Sequence, residues 1–193
     1  MGLRNTPDGW GWPARLLHWA MAGFILFQLG LGFYSVRLLT GQDSDTLVER
    51  FYIVQTHKSW GVLIFTLALI RVAWRLANPR PSLPADMGSL ERALAEGTHI
   101  ALYVLVVSMP LTGWLYVSAS TLQDSYGIKN MVFGLFELPD PFVPGSKELE
   151  TVLGNIHSFF AFSMATIVSL HILAAVKHQI IDRDGLLRRM VLG

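Results

Sequence analysis

The sequence predicts an all-α integral membrane protein, a four-helix bundle forming one membrane domain over residues 1–193, and three observations carry that expectation. Hydrophobic residues make up 52% of the chain and charged residues only 15%, against roughly 25% charged in a soluble domain. The mean hydropathy is accordingly positive, +0.43. Four separate runs reach the ~20 apolar residues that a helix needs to cross hydrocarbon. None of the four alternates polar and apolar residues as a membrane barrel strand does, and in lipid a helix satisfies its own backbone groups.

The spans are expected at about 16–36 (LLHWAMAGFILFQLGLGFYSV), 52–76 (containing WGVLIFTLALI), 99–118 (HIALYVLVVSMPLTGWLYVS) and 152–176 (VLGNIHSFFAFSMATIVSLHILAAV). Asn78-Pro79-Arg80-Pro81-Ser82-Leu83-Pro84 stops the second helix and links it to the third. Pro110 should kink the third span, a fault that membrane helices tolerate where neighbours re-satisfy the freed carbonyl. The outer loop, 119–150, carries the turn-rich Leu138-Pro139-Asp140-Pro141. Within it Met131-Val132-Phe133-Gly134-Leu135-Phe136 is apolar but too short to span, so an element lying on the bilayer surface is expected there.

Ten of the fifteen Lys and Arg fall in the N-terminal segment, the second loop, the C-terminal tail and the adjoining helix ends. The positive-inside rule then places both termini in the cytoplasm and the long third loop outside. With six of the fourteen acids on the inner side, the two faces carry about +4 and −3. The residues before the first span are polar and glycine-rich, so no cleavable signal is expected. A membrane crossed several times is the expected location, with membrane lipid as an obligatory partner. A net charge of +1 gives no basic stripe for nucleic acid. The absence of cysteine excludes disulfides, thiolate metal sites, cysteine-ligated clusters and covalently attached c-type haem.

The informative residues are six histidines: His18, His57, His99, His157, His171 and His178. A lone histidine on an apolar helix is ordinarily a satisfied core residue or an interfacial tip; several at matching depths in a membrane are a functional hypothesis. His157 and His171 share the last span, 14 residues apart, about 21 Å of rise and only about 40° of azimuth. One imidazole therefore sits near each leaflet, on one side of the helix. His57 enters at the level of His157 and His18 at the level of His171, which gives the pairs His57/His157 outside and His18/His171 inside. Facing imidazoles with no cysteine and no carboxylate in the spans suit six-coordinate haem b, whereas zinc wants four protein ligands, or three and an open position. Two haem b groups stacked across a bilayer would carry electrons between its faces, their potentials tuned by ligation and burial.

At this point the chain resembles the small bacterial dihaem cytochrome b561 proteins along nearly its whole length. The matching fragments are Arg15-Leu16-Leu17-His18-Trp19, His57-Lys58-Ser59-Trp60-Gly61, Ile70-Arg71-Val72-Ala73-Trp74-Arg75, His99-Ile100-Ala101-Leu102-Tyr103, Pro110-Leu111-Thr112-Gly113, Asn155-Ile156-His157 and the stretch from His171 to Met190. The resemblance implies that His18, His57, His157 and His171 are the axial ligands of haem iron. It also implies electron exchange with ubiquinone and, for some members, a superoxide:ubiquinone oxidoreductase activity. The donor is then superoxide or a periplasmic redox protein. The alternative reading is a membrane cytochrome b subunit serving a periplasmic redox partner or a dehydrogenase, without superoxide oxidase activity.

His99 and His178 are left for a quinone or for haem propionates, both expected at the inner ends of their helices. Arg15, Arg71 and Arg75 lie at similar depth and are candidates for propionates. Gly23, Gly30, Gly32, Gly61 and Gly113 are candidates for making room for a porphyrin or for close helix packing.

Overall fold

The computed structural model describes residues 2–38, 43–84 and 87–192. Four long helices dominate it: α1 (Trp12–Arg37), α2 (Ser44–Ala77), α3 (Ser89–Ser118) and α5 (Lys147–Lys177). Each is long and apolar enough to cross a membrane. Between α3 and α5 lie a short α4 (Thr121–Tyr126) and an antiparallel hairpin of β1 (Met131–Val132) and β2 (Phe136–Glu137). A π-helical turn, His178–Asp182, prolongs α5 and leads into α6 (Leu186–Val191).

The helices run further than the apolar windows predict. α2 starts at Ser44 rather than near 52, α3 at Ser89 rather than near 99, and α5 at Lys147 rather than near 152. At α2 and α5 the extra turns are fixed by side-chain caps instead of by hydrocarbon, whereas α3 starts after Gly88 without one. Asp43 accepts from the Thr46 amide at 2.9 Å and from its hydroxyl at 2.6 Å, which holds the Asp43 carboxyl below its ordinary pKa. Ser146 caps α5 by accepting from the Leu149 amide, and its Glu148 and Glu150 favour a helix N-terminus.

Packing is inside-out relative to a soluble bundle. The buried cluster is small (Met21, Ile64, Ala68, Leu105, Val106 and Met164), while Leu26, Phe159, Leu170 and Leu173 on the outer surfaces are exposed to what would be lipid. Met164 lies seven residues from both His157 and His171, so the cluster forms an apolar band between the two histidine levels. The backbone of α5 packs on α3, α3 on α2 and α2 on α1. Across to α1 and α2, α5 reaches with side chains: His157 to His57, His171 to His18, and Phe162 to Phe33.

Both termini lie at one end of the bundle, as four crossings require, and that end is tied together. Asn5 Nδ2 donates to the Pro79 carbonyl, the Ser82 amide to the Pro7 carbonyl, and Trp19 Nε1 to the Met190 carbonyl. The opposite end is closed by the outer loop, which has more structure than a surface element needs. Its hairpin docks on α2: the Phe133 amide donates to Ser59 Oγ at 2.9 Å, Lys58 Nζ donates to Asn130 Oδ1 at 2.8 Å, and Phe133 meets Trp60 edge-on. Asp140 latches it to α3 by accepting from Ser118 Oγ and from Asn130 Nδ2. The turn residues Phe133 and Gly134 both adopt positive φ, and the tip, with Leu135 80% exposed, remains apolar and free to touch a bilayer surface.

Asp140→Ala removes the shared acceptor of that latch and leaves two part-buried donors unpaired, each worth about 1–3 kcal/mol. The variant is expected to lose several degrees of thermal stability in detergent and to become sensitive to protease between residues 119 and 146.

Candidate functional site: two facing histidine pairs

The structure brings together the histidines that depth alone pairs. The rings of His57 and His157 have centres 6.3 Å apart at an interplanar angle of 89°; those of His18 and His171 are also 6.3 Å apart, at 69°. A metal held between two imidazole nitrogens needs about 2 Å per bond, and each nitrogen stands about 1.2 Å from its ring centre, which together call for about 6.3 Å. Both gaps therefore match a bis-imidazole metal in spacing. They also lie where the backbone of α5 stands off from α1 and α2.

Of the five glycines singled out in the sequence, Gly32 and Gly113 touch the outer pair, whereas a Cβ at Gly23 or Gly30 would meet open space and one at Gly61 would meet Gln28. A Cβ at Gly113 would meet His157 Cε1 at 3.0 Å, and one at Gly32 would meet His57 Cε1 at 3.4 Å. Their missing side chains leave the imidazoles room to stand in the gap. Tyr116 stacks on His157, ring centres 6.4 Å apart at 26°.

Thr112 sets the state of His157, a role that the Pro-Leu-Thr-Gly fragment marked without explaining. Its hydroxyl gives its one proton to the Met109 carbonyl at 3.0 Å. Toward His157 Nδ1, 3.2 Å away, it can then only accept. That arrangement puts the ring proton on Nδ1 and would leave the Nε2 lone pair free, the tautomer in which a histidine ligates metal. His57 Nδ1 is buried without a hydrogen-bond partner, so no protein group fixes its tautomer. Gln28 Nε2 instead holds the His57 backbone carbonyl at 2.8 Å.

The inner pair has a different setting. Arg71 Nη2 lies 2.9 Å from His18 Nδ1 and Arg71 Nε 3.3 Å from the Tyr103 hydroxyl. His99, on α3, stands against this pair: its ring centre is 5.4 Å from that of His171. That is an edge contact, too short for a metal to lie in line between the rings.

The other candidates disperse. Arg15 is buried, but its guanidinium donates to the Val191 carbonyl at 2.9 Å and so anchors α6. Arg75 lies 4.7 Å over the Tyr103 ring. His178 stands at the π-helical turn among carboxylates, with Nδ1 2.7 Å from Asp184 and 3.0 Å from Asp182, and Nε2 3.9 Å from Glu91. Lys177 Nζ bridges Glu91 and Asp182 at 2.6 and 2.7 Å. Asp182 and Asp184 stand only four and six residues beyond His178, but Glu91 comes from α3, and that contact is not visible from spacing along α5.

A membrane bundle whose interior polar groups are facing imidazole pairs at metal spacing has the framework of a b-type cytochrome, a membrane haem protein of electron transfer. The chain belongs to the prokaryotic cytochrome b561 family, whose sequence profile matches residues 9–193. It is similar to cytochrome b561 homolog 2 of Escherichia coli (strain K12), 28% identical over 193 residues that cover 99% of this chain and 95% of the relative. Cytochrome b561 homolog 1 of the same organism is 25% identical over 175 residues, 91% of this chain and 92% of the relative. A probable superoxide oxidase CybB of Yersinia pestis is 27% identical over 137 residues, 70% of this chain and 72% of the relative.

If Thr112 holds His157 in its ligating tautomer, Thr112→Val keeps the packing and loses the acceptor. Apparent haem affinity at that site should fall by about 10- to 100-fold, the usual cost of losing a metal ligand's supporting partner, measured by haem loss to apomyoglobin. Gly113→Val drives a side chain into His157 and should lower haem content by up to half.

Proposed function

We propose that this chain is a dihaem electron carrier of a bacterial inner membrane, taking electrons from a periplasmic donor and delivering them to ubiquinone. The observation that carries the reading is the pair of equal 6.3 Å gaps, one at each level of α5. His57 with His157 would hold the outer haem b, and His18 with His171 the inner one. Each group, when bound, would supply one-electron oxidation and reduction.

The residues around it have separable tasks. Thr112 orients His157, and the glycines at 32 and 113 keep the outer gap open. The apolar band around Met164 excludes water between the two levels. At the inner site Arg71 can only donate, so in the arrangement seen His18 accepts at Nδ1 and carries its proton on Nε2. To hold an iron through Nε2, His18 would have to carry its proton on Nδ1, and Arg71 would then be free to meet a propionate. His99, in edge contact with His171, is better placed to support that ring or a propionate than to ligate.

His178 is the proposed quinone contact. It lies seven residues beyond His171, about 10 Å along the helix, at the inner headgroup boundary. Asp184 and Asp182 face its Nδ1, which leaves Nε2 as the edge able to meet a quinone oxygen and exchange a proton. The acceptor half-reaction takes two electrons and two protons to make quinol from quinone. With superoxide as donor, two superoxide ions are oxidised to two dioxygen molecules for each quinol formed. The likeness to a probable superoxide oxidase supports that donor; the acidic balance of the outer face favours a periplasmic redox protein instead, since it gives a small anion no general steering.

Stopped-flow mixing of the oxidised protein with superoxide separates the two donors: reduction at a near-diffusional rate assigns superoxide, and slow reduction assigns a protein. His57→Ala and His157→Ala are expected to remove the same haem and leave about half the content, with the inner spectrum intact. If His57→Ala depletes the haem that His18→Ala depletes, the pairing is wrong. His178→Ala should keep both haems and normal donor-side reduction yet slow re-oxidation by a soluble quinone analogue; unchanged quinone kinetics would remove His178 from the site.

A further inference from the structure

Three arginines gather at the inner end of α2, with no carboxylate of the described residues in an ion pair with them. Arg71, Arg75 and Arg80 all lie within electrostatic reach of His99, and among the described residues none forms an ion pair. Arg71 is engaged inward, on His18 and the Tyr103 hydroxyl. Arg75 and Arg80 are not. They line a cavity of about 220 Å³ between α2 and α3, with Tyr103 beside them. Arg75 lies 4.7 Å over the Tyr103 ring and Arg71 5.7 Å from the same ring's centre, so Tyr103 contacts both guanidinium groups.

The cavity opens on the surface that meets lipid. Its rim includes Leu76, Ile100 and Val104, which are 82%, 60% and 57% exposed. Arg75 stands in the last turn of α2 and Arg80 in the linker beyond it, which is the depth of phospholipid phosphates. An occupant must therefore present an anion to two guanidinium groups and hydrocarbon to the rim. A soluble anion meets only the first requirement, and basic pockets between spans at this depth are a known way of holding anionic headgroups.

We propose that this groove is a binding site for an anionic phospholipid, its phosphate held by Arg75 and Arg80 and its acyl chains lying along Ile100 and Val104. Planar guanidinium groups bind phosphate in a fork, and the Tyr103 ring holds one of them in place. A lipid seated there would neutralise the cluster beside the inner histidines and tie α2 to α3 where the backbone leaves a gap.

The test uses the haem-loaded protein in nanodiscs or detergent. Native mass spectrometry with added phosphatidylglycerol or phosphatidylcholine should show retention of the anionic lipid over the zwitterionic one. Two charges near the headgroup plane predict a preference of at least about tenfold. The double variant Arg75→Gln, Arg80→Gln should lose that preference with haem content unchanged, and Arg75→Lys, Arg80→Lys should keep most of it. Equal retention of both lipids, or a preference surviving in the glutamine variant, overturns the proposal. So does loss of a haem in the glutamine variant, which gives the arginines to propionates. If inorganic phosphate at millimolar concentration displaces phosphatidylglycerol completely, the acyl contacts contribute nothing and the site is one for free phosphate.

Discussion

An imidazole in hydrocarbon is costly unless another polar group or a metal meets it, and this bundle is arranged around that cost. Lipid gives apolar helices no reason to prefer each other over acyl chains. What α5 finds across the bundle are His57 on α2 and His18 on α1, at two depths set by the 14-residue spacing of its own histidines. The small residues at 32 and 113 follow from the same constraint, because the rings must stand in the gap rather than be pushed out of it. So does the apolar band at Met164, which keeps the two polar levels from merging into one wet channel.

The two ends of the bundle meet different demands. At the end holding the termini, polar segments from three parts of the chain bind one another through Asn5, Ser82 and Trp19, and leave an arginine cluster facing lipid and the inner histidines. At the opposite end a hairpin and short helix are latched over the outer pair by Lys58, Ser59, Ser118 and Asp140. That cover places Lys58, the neighbour of His57, in a hydrogen bond with Asn130 rather than in open solvent. The hairpin is therefore docked on the bundle and does not only lie on a bilayer surface.

Much of this was legible in the sequence, for identifiable reasons. The four spans and the histidine pairing rest on hydropathy and helical rise, both local and periodic, and the helices place those rings where that arithmetic puts them. Helix ends were less legible because capping by Asp43 and Ser146 extends α2 and α5 past the hydrocarbon that the apolar windows measure. The outer hairpin escaped because its docking depends on Ser59 and Lys58, more than 70 residues away. The contact of His99 with His171 depends on how α3 is rotated against α5, which spacing within α3 does not reveal. Thr112 lay in plain view in a quoted fragment, yet its role needs the coordinates, since only there does its proton go to the Met109 carbonyl.

The central claim is that each of the two equal gaps holds one haem with two histidine ligands. Haem-to-chain stoichiometry, by pyridine haemochrome against quantitative amino-acid analysis, combined with low-temperature electron paramagnetic resonance of the oxidised protein, tests it most directly. Two haems per chain, both low-spin with bis-imidazole signals, is the predicted result. One haem per chain, or a high-spin signal from an iron with an open axial position, would contradict it.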